Sequence, residues 1–565
     1  MKRVLFILGV FVAVCHAKAQ SYNVCNEDGT VLEIPAGENK EITFNAEQRL
    51  VKFHNIGNLT HSFATDKVVC IATESPANGT QLTYSTDFDV EFDRNEADVY
   101  DEVVETIITD EMDDESEDFL ENYSSQPVKV TITFSENSVT CVPSIVNGVT
   151  FTTTDKTHLK IDATVGKMRY LVKGGCKNGS LKIYSTKKFQ IMLAGLELTN
   201  PTGPAINIQS GKTVYFSIGN NTTNSLCDGS TYSAPTIVAG IEEDQKGTLF
   251  SEGQLIFSGT GTLNVKSLSG HAICSDDYIR IRSGNINITE AAKDGFHTND
   301  IFRVGRMENS SPKISINASG DGIDCGKGEV LIEAGSLNIN SIGEGIKASY
   351  NPAEEAKPDP LITPNVTVKG GYLSINTTGE KSSAIKAIGS FTQEGGVIHA
   401  EVEGNGSKIL NCDKTVTISG GRTTGIAHGS AHIIADTDTT YAGGIKCIGD
   451  ITIKESSVAI KCTGEGAKAI NGDGNVTIES GEVTLLSIAP NHQTSTDSKK
   501  SRAITCIDLV QNNGTLLMKA YDKAISATSI TLNNGTMHAI SSNDTKPVNQ
   551  EVNQKSGWYL SKGEE

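Results

Sequence analysis

The chain has 565 residues and a formal net charge of −20, and its 55 glycines accompany only 14 prolines and one tryptophan. Outside one acidic segment the charge nearly balances, which argues against nucleic acid as a partner. The glycine-rich, aromatic-poor composition favours many short strands over helices.

The chain opens with MKRVLFILGVFVAVCHAKAQ, in which Lys2 and Arg3 precede an apolar run. The small residues around Ala19 fit a signal-peptidase site, so residues 1–19 are predicted to be a cleaved secretory signal peptide. No later apolar run is long enough to cross a bilayer. The sequence therefore predicts a protein that is secreted, or located at the cell surface or in the periplasm, without a membrane span.

Residues 20–86 contain short alternating segments such as VLEIP and EITFN, which predict a small β-rich N-terminal region. Residues 87–126 are interpreted as an acidic linker, because 87–121 hold 17 acids and one base. Such a segment is typically solvated and partly disordered, and a loose cation-binding role is the functional alternative. Residues 127–540 are predicted to be one repeat domain, and 541–565 a C-terminal tail.

A short phrase recurs through the repeat domain, as in Asp321-Gly-Ile-Asp-Cys and Glu344-Gly-Ile-Lys-Ala, 23 residues apart. Copies begin at residues 271, 294, 321, 344, 383, 408, 443, 468, 502 and 523. Alternating strands that end in glycine separate the copies. Repetition at this period indicates a solenoid whose coils bury their apolar faces by stacking. Short strands without a helical period predict an all-β parallel β-helix.

Stacked coils would place equivalent residues about 4.8 Å apart, so that columns of the sequence become physical ladders. The isoleucine of each phrase and the small residue two places later are predicted to point inward. Several of these small residues are cysteines, including Cys325 and Cys412. A buried stack of small side chains accounts for them better than catalysis.

Several phrases together resemble a known family: GLELTNPTGPAINIQSG, KGTLFSEGQLIFSGTGTLNV, HAICSDDYIRIRSGNINIT, KDGFHTND and GDGIDC. The resemblance is to secreted bacterial carbohydrate-binding proteins with a pectate-lyase-like, right-handed parallel β-helix, and it covers roughly residues 120–540. It implies binding of acidic and neutral plant polysaccharides, polygalacturonate and cellulose among them, with bound calcium. Lyase activity is not implied. In the later copies the acid before Gly-Ile is replaced, for example by Lys408 or Arg502, so the calcium inference is confined to the earlier ones.

The acids of the early copies would repel one another along their column unless a positive charge lies between them. Calcium collects six to eight oxygens and can bridge two coils. The predicted calcium ligands are Asp276, Asp277, Asp294, Asp300, Asp321, Asp324 and Glu344. The alternative is a solvated acid row paired with nearby lysines.

Short amides and hydroxyls on an outward sheet face can bind sugar hydroxyls, and lysines can meet uronate carboxylates. The predicted carbohydrate-binding residues are Lys347, Lys386, Lys446, Tyr372, Asn338, Asn340 and Asn376, with Tyr372 as an outward aromatic face. An ordinary polar sheet face and a solvated lysine row are the alternatives.

Together these features predict a secreted, non-catalytic protein that binds an acidic polysaccharide with the help of calcium. Two alternatives stay open. One is a calcium-dependent polysaccharide lyase on the same scaffold, with Arg280, Arg282, Arg303 or Arg306 as the base. The other is a surface or adhesin repeat protein. The sequence carries no signal for an oligomeric state.

Overall fold

The computed structural model describes residues 21–45, 47–72, 79–91, 128–305, 311–435, 438–494 and 498–564. The chain divides into two compact units, residues 92–423 and residues 1–91 together with 424–565. The predicted signal peptide and most of the acidic linker lie outside the described residues. Within those residues the structure is all-β, and its helical segments are the 3-10 turns Ala36–Glu38, Ile56–Asn58 and Pro352–Glu354. No helix of this part is long and apolar enough to cross a membrane.

The unit 92–423 is built from three ladders of mainly parallel strands, in which each strand pairs with its counterpart one repeat later. Ladder A contains His158–Ala163, Ser180–Ser185, Ile206–Ile208, Gly247–Ser251, His271–Ser275, Phe296–Thr298, Ile323–Cys325, Ile346–Ala348, Ser383–Ala387 and Lys408–Cys412, with Val149–Thr154 antiparallel at its start. Ladder B contains the second half of Phe189–Thr199, then Thr223–Cys227, Thr262–Ser267, Asn285–Ala291, Lys313–Ala318, Ser336–Ser341, Tyr372–Thr377 and Val397–Val402.

Ladder C contains Val128–Ser135, Met168–Cys176, the first half of Phe189–Thr199, Val214–Ile218, Leu255–Gly259, Ile279–Ile281, Phe302–Val304, Val330–Ile332, Val366–Val368, Phe391–Gln393 and Val416–Ile418, with Ser138–Val142 in a hairpin at its start. A small hairpin joins Ile237–Val238 to Ile241–Glu242, and the strand Arg422–Ala427 crosses the division between the units.

The core of this unit follows from strand alternation. In ladder A the residues Ile273, Phe296, Ile323, Ile346 and Ile385 lie opposite one another, and each is at most 2 % exposed. The small residues two places later are fully buried: Ser275, Thr298, Cys325, Ala348 and Ala387. Both inward columns were predicted from the sequence and are confirmed, because successive side chains of a strand point to opposite faces.

The unit formed by residues 1–91 and 424–565 has three shorter parallel ladders. The first contains Gly443–Cys447, Lys468–Gly472, Arg502–Thr505 and Ile525–Ser526. The second contains Ser457–Cys462, Glu482–Ser487, Thr515–Ala520, Thr536–Ser541 and Trp558–Lys562. The third contains Ile451–Ile453, Val476–Ile478, Asp508–Gln511, Ser529–Leu532 and Val552–Gln554. Two hairpins pair His432–Ala435 with Asp438–Thr440 and His492–Gln493 with Ser498–Lys499. Residues 541–565, set apart as a tail from the sequence, thus contribute two strands to these ladders.

The N-terminal strands belong to this same unit. They are Ser21–Asn26, Thr30–Pro35, Asn39–Asn45, Leu50–Asn55, Leu59–Ala64, Val68–Ala72 and Thr80–Leu82. Leu59–Ala64 pairs antiparallel with the last strand, Trp558–Lys562. Apolar residues from both ends of the chain then share one core, which includes Phe53, Phe63, Trp558 and Leu560. Burial of these large side chains fixes the N-terminal strands to the end of the chain.

Candidate functional site

Charged side chains gather along one side of ladder A. We call this set the charged ridge, and it consists of His271, Asp294, His297, Asp321, Asp324, Glu344, Lys347 and Lys386. The strand register places His297, Asp324, Lys347 and Lys386 on four consecutive strands. The ridge therefore brings together residues that are up to 115 positions apart in the chain.

Asp294, Asp321 and Glu344 stack as the repeat predicts. Oδ1 of Asp294 accepts the backbone N–H of Asp321 at 2.8 Å, and Oδ1 of Asp321 accepts that of Glu344 at 2.8 Å. A Cβ on Gly320 or Gly343 would come within 2.3 Å of these same oxygens. The recurring Gly-acid pair therefore has a structural role, because glycine leaves room for the carboxylate of one repeat to reach the backbone of the next.

Histidines pair with the acids at one end of the ridge. Oδ2 of Asp294 lies 3.0 Å from Nδ1 of His271 and 3.5 Å from Nδ1 of His297. Nδ1 of His297 also lies 3.0 Å from Oδ2 of Asp324. Burial alone would raise the pKa of Asp294. The contacts with the two histidines have the larger effect and hold that pKa well below its usual range. Burial likewise disfavours charge on His297, yet Asp294 and Asp324 raise its pKa to about 9.

Lysines pair with the acids at the other end. Nζ of Lys347 lies 3.1 Å from Asp324 and 3.3 Å from Asp321, and Nζ of Lys386 lies 2.8 Å from Glu344. Burial raises the pKa of Asp321 to about 7, and repulsion from Glu344 adds to this effect. Burial would also raise the pKa of Glu344, but Lys386 lowers it. Each ridge carboxylate therefore already has a basic partner.

The remaining predicted calcium ligands lie in the turns that follow the ridge strands. Nζ of Lys246 lies 2.6 Å from Asp276 and 2.8 Å from Asp244, so Asp276 has a cation of its own. Asp277 and Asp300 form no ion pair among the described residues. Burial raises the pKa of Asp277, and repulsion from the charge of Asp300 raises it further. Burial also raises the pKa of Asp300, although a nearby lysine lowers it in part. These two carboxylates are therefore the predicted calcium ligands without an ion-pair partner in the described part of the chain.

The predicted sugar-binding lysines are engaged in ion pairs. Lys347 and Lys386 bind the ridge acids, and in the other unit Lys446 pairs with Asp473. Tyr372 is only 3 % exposed and packs against the ring of His399, with the centroids 5.5 Å apart. The expectation that Tyr372 offers an outward aromatic face is wrong, because the outer side of this strand is covered at Tyr372 and Ser374.

The predicted asparagines lie beside a groove on ladder B. Asn338 is exposed, whereas Asn340 and Asn376 line a cavity of about 260 Å³. This cavity is lined by Thr289, Glu290, Ala291, Asn317, Ala318, Ser319, Asn340, Ser341, Ile342, Asn376 and Thr378. Asn340 donates to Oδ1 of Asn317 at 3.2 Å, which forms an amide ladder across two strands. Ile342, 54 % exposed, adds an apolar side to the cavity.

A second cavity of about 210 Å³ adjoins the first and shares Thr289 with it. It is lined by Glu197, Leu198, Thr199, Ser225, Leu226, Cys227, Asn264, Val265, Lys266 and Thr289. The register shifts at Thr289 and Glu290, and such β-bulges often lie next to functional sites. We call the two cavities together the polar groove. Its seven strands span about 29 Å, at about 4.8 Å for each of six steps.

Sequence reasoning missed two parts of this arrangement. His271 and His297 lack a metal-ligand spacing along the chain, although both occupy columns that hold acids. The upstream half of the polar groove, at Glu197 and Ser225, precedes the first copy of the recurring phrase at residue 271, so the repeat did not reveal it.

Three of the four arginines considered for a lyase are buried or bound to an acid. Arg280 is 1 % exposed and Arg282 is 3 % exposed. Arg303 donates to both carboxylate oxygens of Glu333, at 2.9 and 3.1 Å. Arg306 lies outside the described residues.

Comparison with curated proteins found no match. A solved structure that is similar to this chain is that of a polysaccharide lyase-like protein from C. thermocellum, studied as a gadolinium derivative. It is 19 % identical over 52 % of this chain and 99 % of that chain, with a TM-score of 0.37. A family model described as "Carbohydrate-binding domain-containing protein" matches residues 155–489. This match covers more than half of the 565 residues, and the chain therefore belongs to the family of carbohydrate-binding domain-containing proteins.

Proposed function

We propose that this protein is a secreted, non-catalytic polysaccharide-binding protein whose ligand lies along the polar groove. The carrying observation is the set of polar side chains, amides and hydroxyls among them, that lines the groove on seven strands of ladder B. An extended glycan needs repeated polar contacts at regular intervals, and a strand ladder supplies them at the strand spacing. The ladders of each unit are proposed to close as a right-handed parallel β-helix, which gives the groove a rigid floor.

The groove offers both kinds of contact that a sugar ring uses. Asn340 and Asn376 carry side-chain amides that line the cavity, and amides can hydrogen-bond to sugar hydroxyls. Thr289 and Thr378 provide hydroxyls on either side. Ile342 can pack against the apolar face of a sugar ring, as its exposed side chain lines the same cavity.

The ligand is proposed to be an acidic polysaccharide of the polygalacturonate type, bound with the help of calcium. Asp277 and Asp300 would hold the ion, since their mutual repulsion favours a cation and no ion pair occupies them among the described residues. Calcium would supply positive charge for uronate carboxylates. The charged ridge fits calcium poorly, because each of its carboxylates is paired with a histidine or a lysine.

The groove is tested by comparing Asn340→Ala with Asn338→Ala in binding to soluble polygalacturonate and to neutral plant glycans. The two residues share a strand, but only Asn340 lines the groove. Loss of one or two sugar hydrogen bonds should weaken binding about 5- to 10-fold for Asn340→Ala, whereas Asn338→Ala should stay within about twofold. Equal effects of the two substitutions would contradict the groove. A glycan array without hits would favour the adhesin alternative, and unsaturated product absorbing ultraviolet light would favour the lyase.

The calcium part is tested separately, by calorimetric titration of the metal-stripped protein. Asp277→Asn combined with Asp300→Asn should abolish calcium binding. Asp276→Asn is the matched control, because Lys246 already neutralises that carboxylate. Calcium binding that survives the double substitution would place the ion elsewhere.

A further inference from the structure

The histidine end of the charged ridge contains a set of donors that differs in chemistry from the calcium ligands. Side-chain donor atoms of His271, Asp294 and His297 all lie within 4.8 Å of one another. The two imidazole rings are stacked, with centroids 4.4 Å apart and planes 22° apart. Their Nδ1 atoms both face the same carboxylate oxygen, Oδ2 of Asp294.

The separations of these atoms match the edges of a metal coordination shell. Four ligands at the zinc–nitrogen and zinc–oxygen distances of about 2.0 to 2.2 Å lie about 3.3 to 3.6 Å apart on a tetrahedron. The observed separations are 3.0 Å from His271 to Asp294, 3.5 Å from His297 to Asp294 and 3.0 Å from His297 to Asp324. The donors of His271, Asp294 and His297 are thus close enough together to share one ion, and Asp324 adjoins them through His297.

The surroundings also hold the ligands in place. Oδ1 of Asp294 accepts the backbone N–H of Asp321, which leaves Oδ2 directed at the imidazoles. Such outer hydrogen bonds orient metal-binding carboxylates. Lys347 contacts Oδ1 of Asp324, so Oδ2 is the oxygen that remains for a metal. The side chains of His271, Asp294 and His297 are 13 %, 13 % and 22 % exposed, which leaves a path from solvent.

We propose that His271, Asp294 and His297, with Asp324 beside them, form a binding site for a divalent transition metal of the zinc class. Two imidazole nitrogens favour such metals, whereas calcium and magnesium prefer oxygen ligands. The ion would replace the close contacts that now join the histidines to the acids, and it would link three successive strands of ladder A. This site does not depend on the proposed glycan groove or on calcium at Asp277 and Asp300.

The test uses the full-length protein after treatment with a chelator and dialysis, titrated with Co²⁺ and then with Zn²⁺. One equivalent of Co²⁺ should produce the intense visible absorption of a low-coordinate site, and Zn²⁺ should bleach it. His271→Ala combined with His297→Ala should remove the absorption. His158→Ala, a partly buried histidine on the same ladder, should leave it unchanged.

A milder variant keeps the test decisive if the double substitution disturbs folding. His297→Gln keeps a polar side chain near Asp294 and should weaken Zn²⁺ binding at least about tenfold, with an unchanged circular dichroism spectrum. Absence of cobalt absorption in the wild-type protein, or absorption that persists in the double variant, would overturn the proposal. The ridge would then be a ladder of ion pairs only.

Discussion

Two buried histidines should make the unit formed by residues 1–91 and 424–565 sensitive to acid. His61 is fully buried and His538 is 4 % exposed, and no ring nitrogen of either forms a hydrogen bond within the described chain. Both lie against Trp558, with ring centroids 6.0 Å and 4.8 Å away. Burial lowers the pKa of His61 to about 4, and the charge of His538 adds to this, while burial alone lowers the pKa of His538 to about 4.

The sign and size of the effect follow from proton linkage. The unfolded chain binds a proton at each histidine below about pH 6.5, but the folded chain does not until about pH 4. The stabilisation is therefore complete above about pH 6.5 and is lost as the pH falls towards 4. Each histidine contributes roughly 3 kcal/mol at most, and the pair somewhat less than twice that, since the two charges interact.

Trp558 is the protein's single tryptophan and contacts both imidazoles, so its fluorescence reports on this unit. The urea midpoint followed by this signal should fall steeply between about pH 6.5 and 4. His538→Phe keeps an aromatic ring and should remove about half of this fall in the urea midpoint. Tyr84→Phe is the matched control, because Tyr84 packs edge-on against His61 but leaves both imidazoles in place. A flat profile in the wild-type protein, or an unchanged slope in His538→Phe, would refute the reasoning.

Two further predictions concern the repeat and the cysteines. Gly343→Ala would place a Cβ 2.3 Å from Oδ1 of Asp321. We therefore expect the free energy of unfolding, measured by urea denaturation, to fall by roughly 1 to 3 kcal/mol. A decrease below about 0.5 kcal/mol would contradict the role given to the Gly-acid pair. Cys25 and Cys70 are free thiols directly opposite each other on antiparallel strands, a geometry that suits a disulfide. Glutathione disulfide should oxidise them to a Cys25–Cys70 bond with release of two glutathione molecules, which peptide mapping under non-reducing conditions detects as one cross-linked peptide pair. Recovery of both cysteines as separate peptides would contradict this pairing.

The repeat was predictable because strand geometry converts sequence period directly into spatial order. The inward columns at Ile323 and Cys325 needed only the alternation of side chains and the spacing between strands. The stacking of Asp294, Asp321 and Glu344 followed from the same rule. The rule does not predict which residues a long side chain contacts. Lys347, for example, contacts two acids of the preceding repeat, Asp321 and Asp324.

Tyr372 shows a different limit of sequence reasoning. Alternation assigned it correctly to the side opposite Leu373 and Ile375. The same rule says nothing about whether that side is covered, and here Tyr372, Ser374 and His399 are all at most 3 % exposed. The sequence did not reveal the histidines of the ridge for a related reason. They come together between successive repeats and are not spaced as metal ligands along the chain.

The charged ridge and the polar groove show how residues that could bind a ligand can be distinguished from residues that hold the repeats together. Repetition alone does not distinguish the two kinds of column, because both recur at the same period. In the acid column, Oδ1 of Asp294 and of Asp321 accepts a backbone N–H of the next coil, and the ridge carboxylates pair with histidines or lysines. Binding a further ligand there must displace partners that already satisfy these groups, so a metal that takes over the histidines is more compatible with the ridge than a glycan. In the groove, Ile342 keeps an exposed apolar surface, so the proposed glycan would pack there without displacing an ion pair.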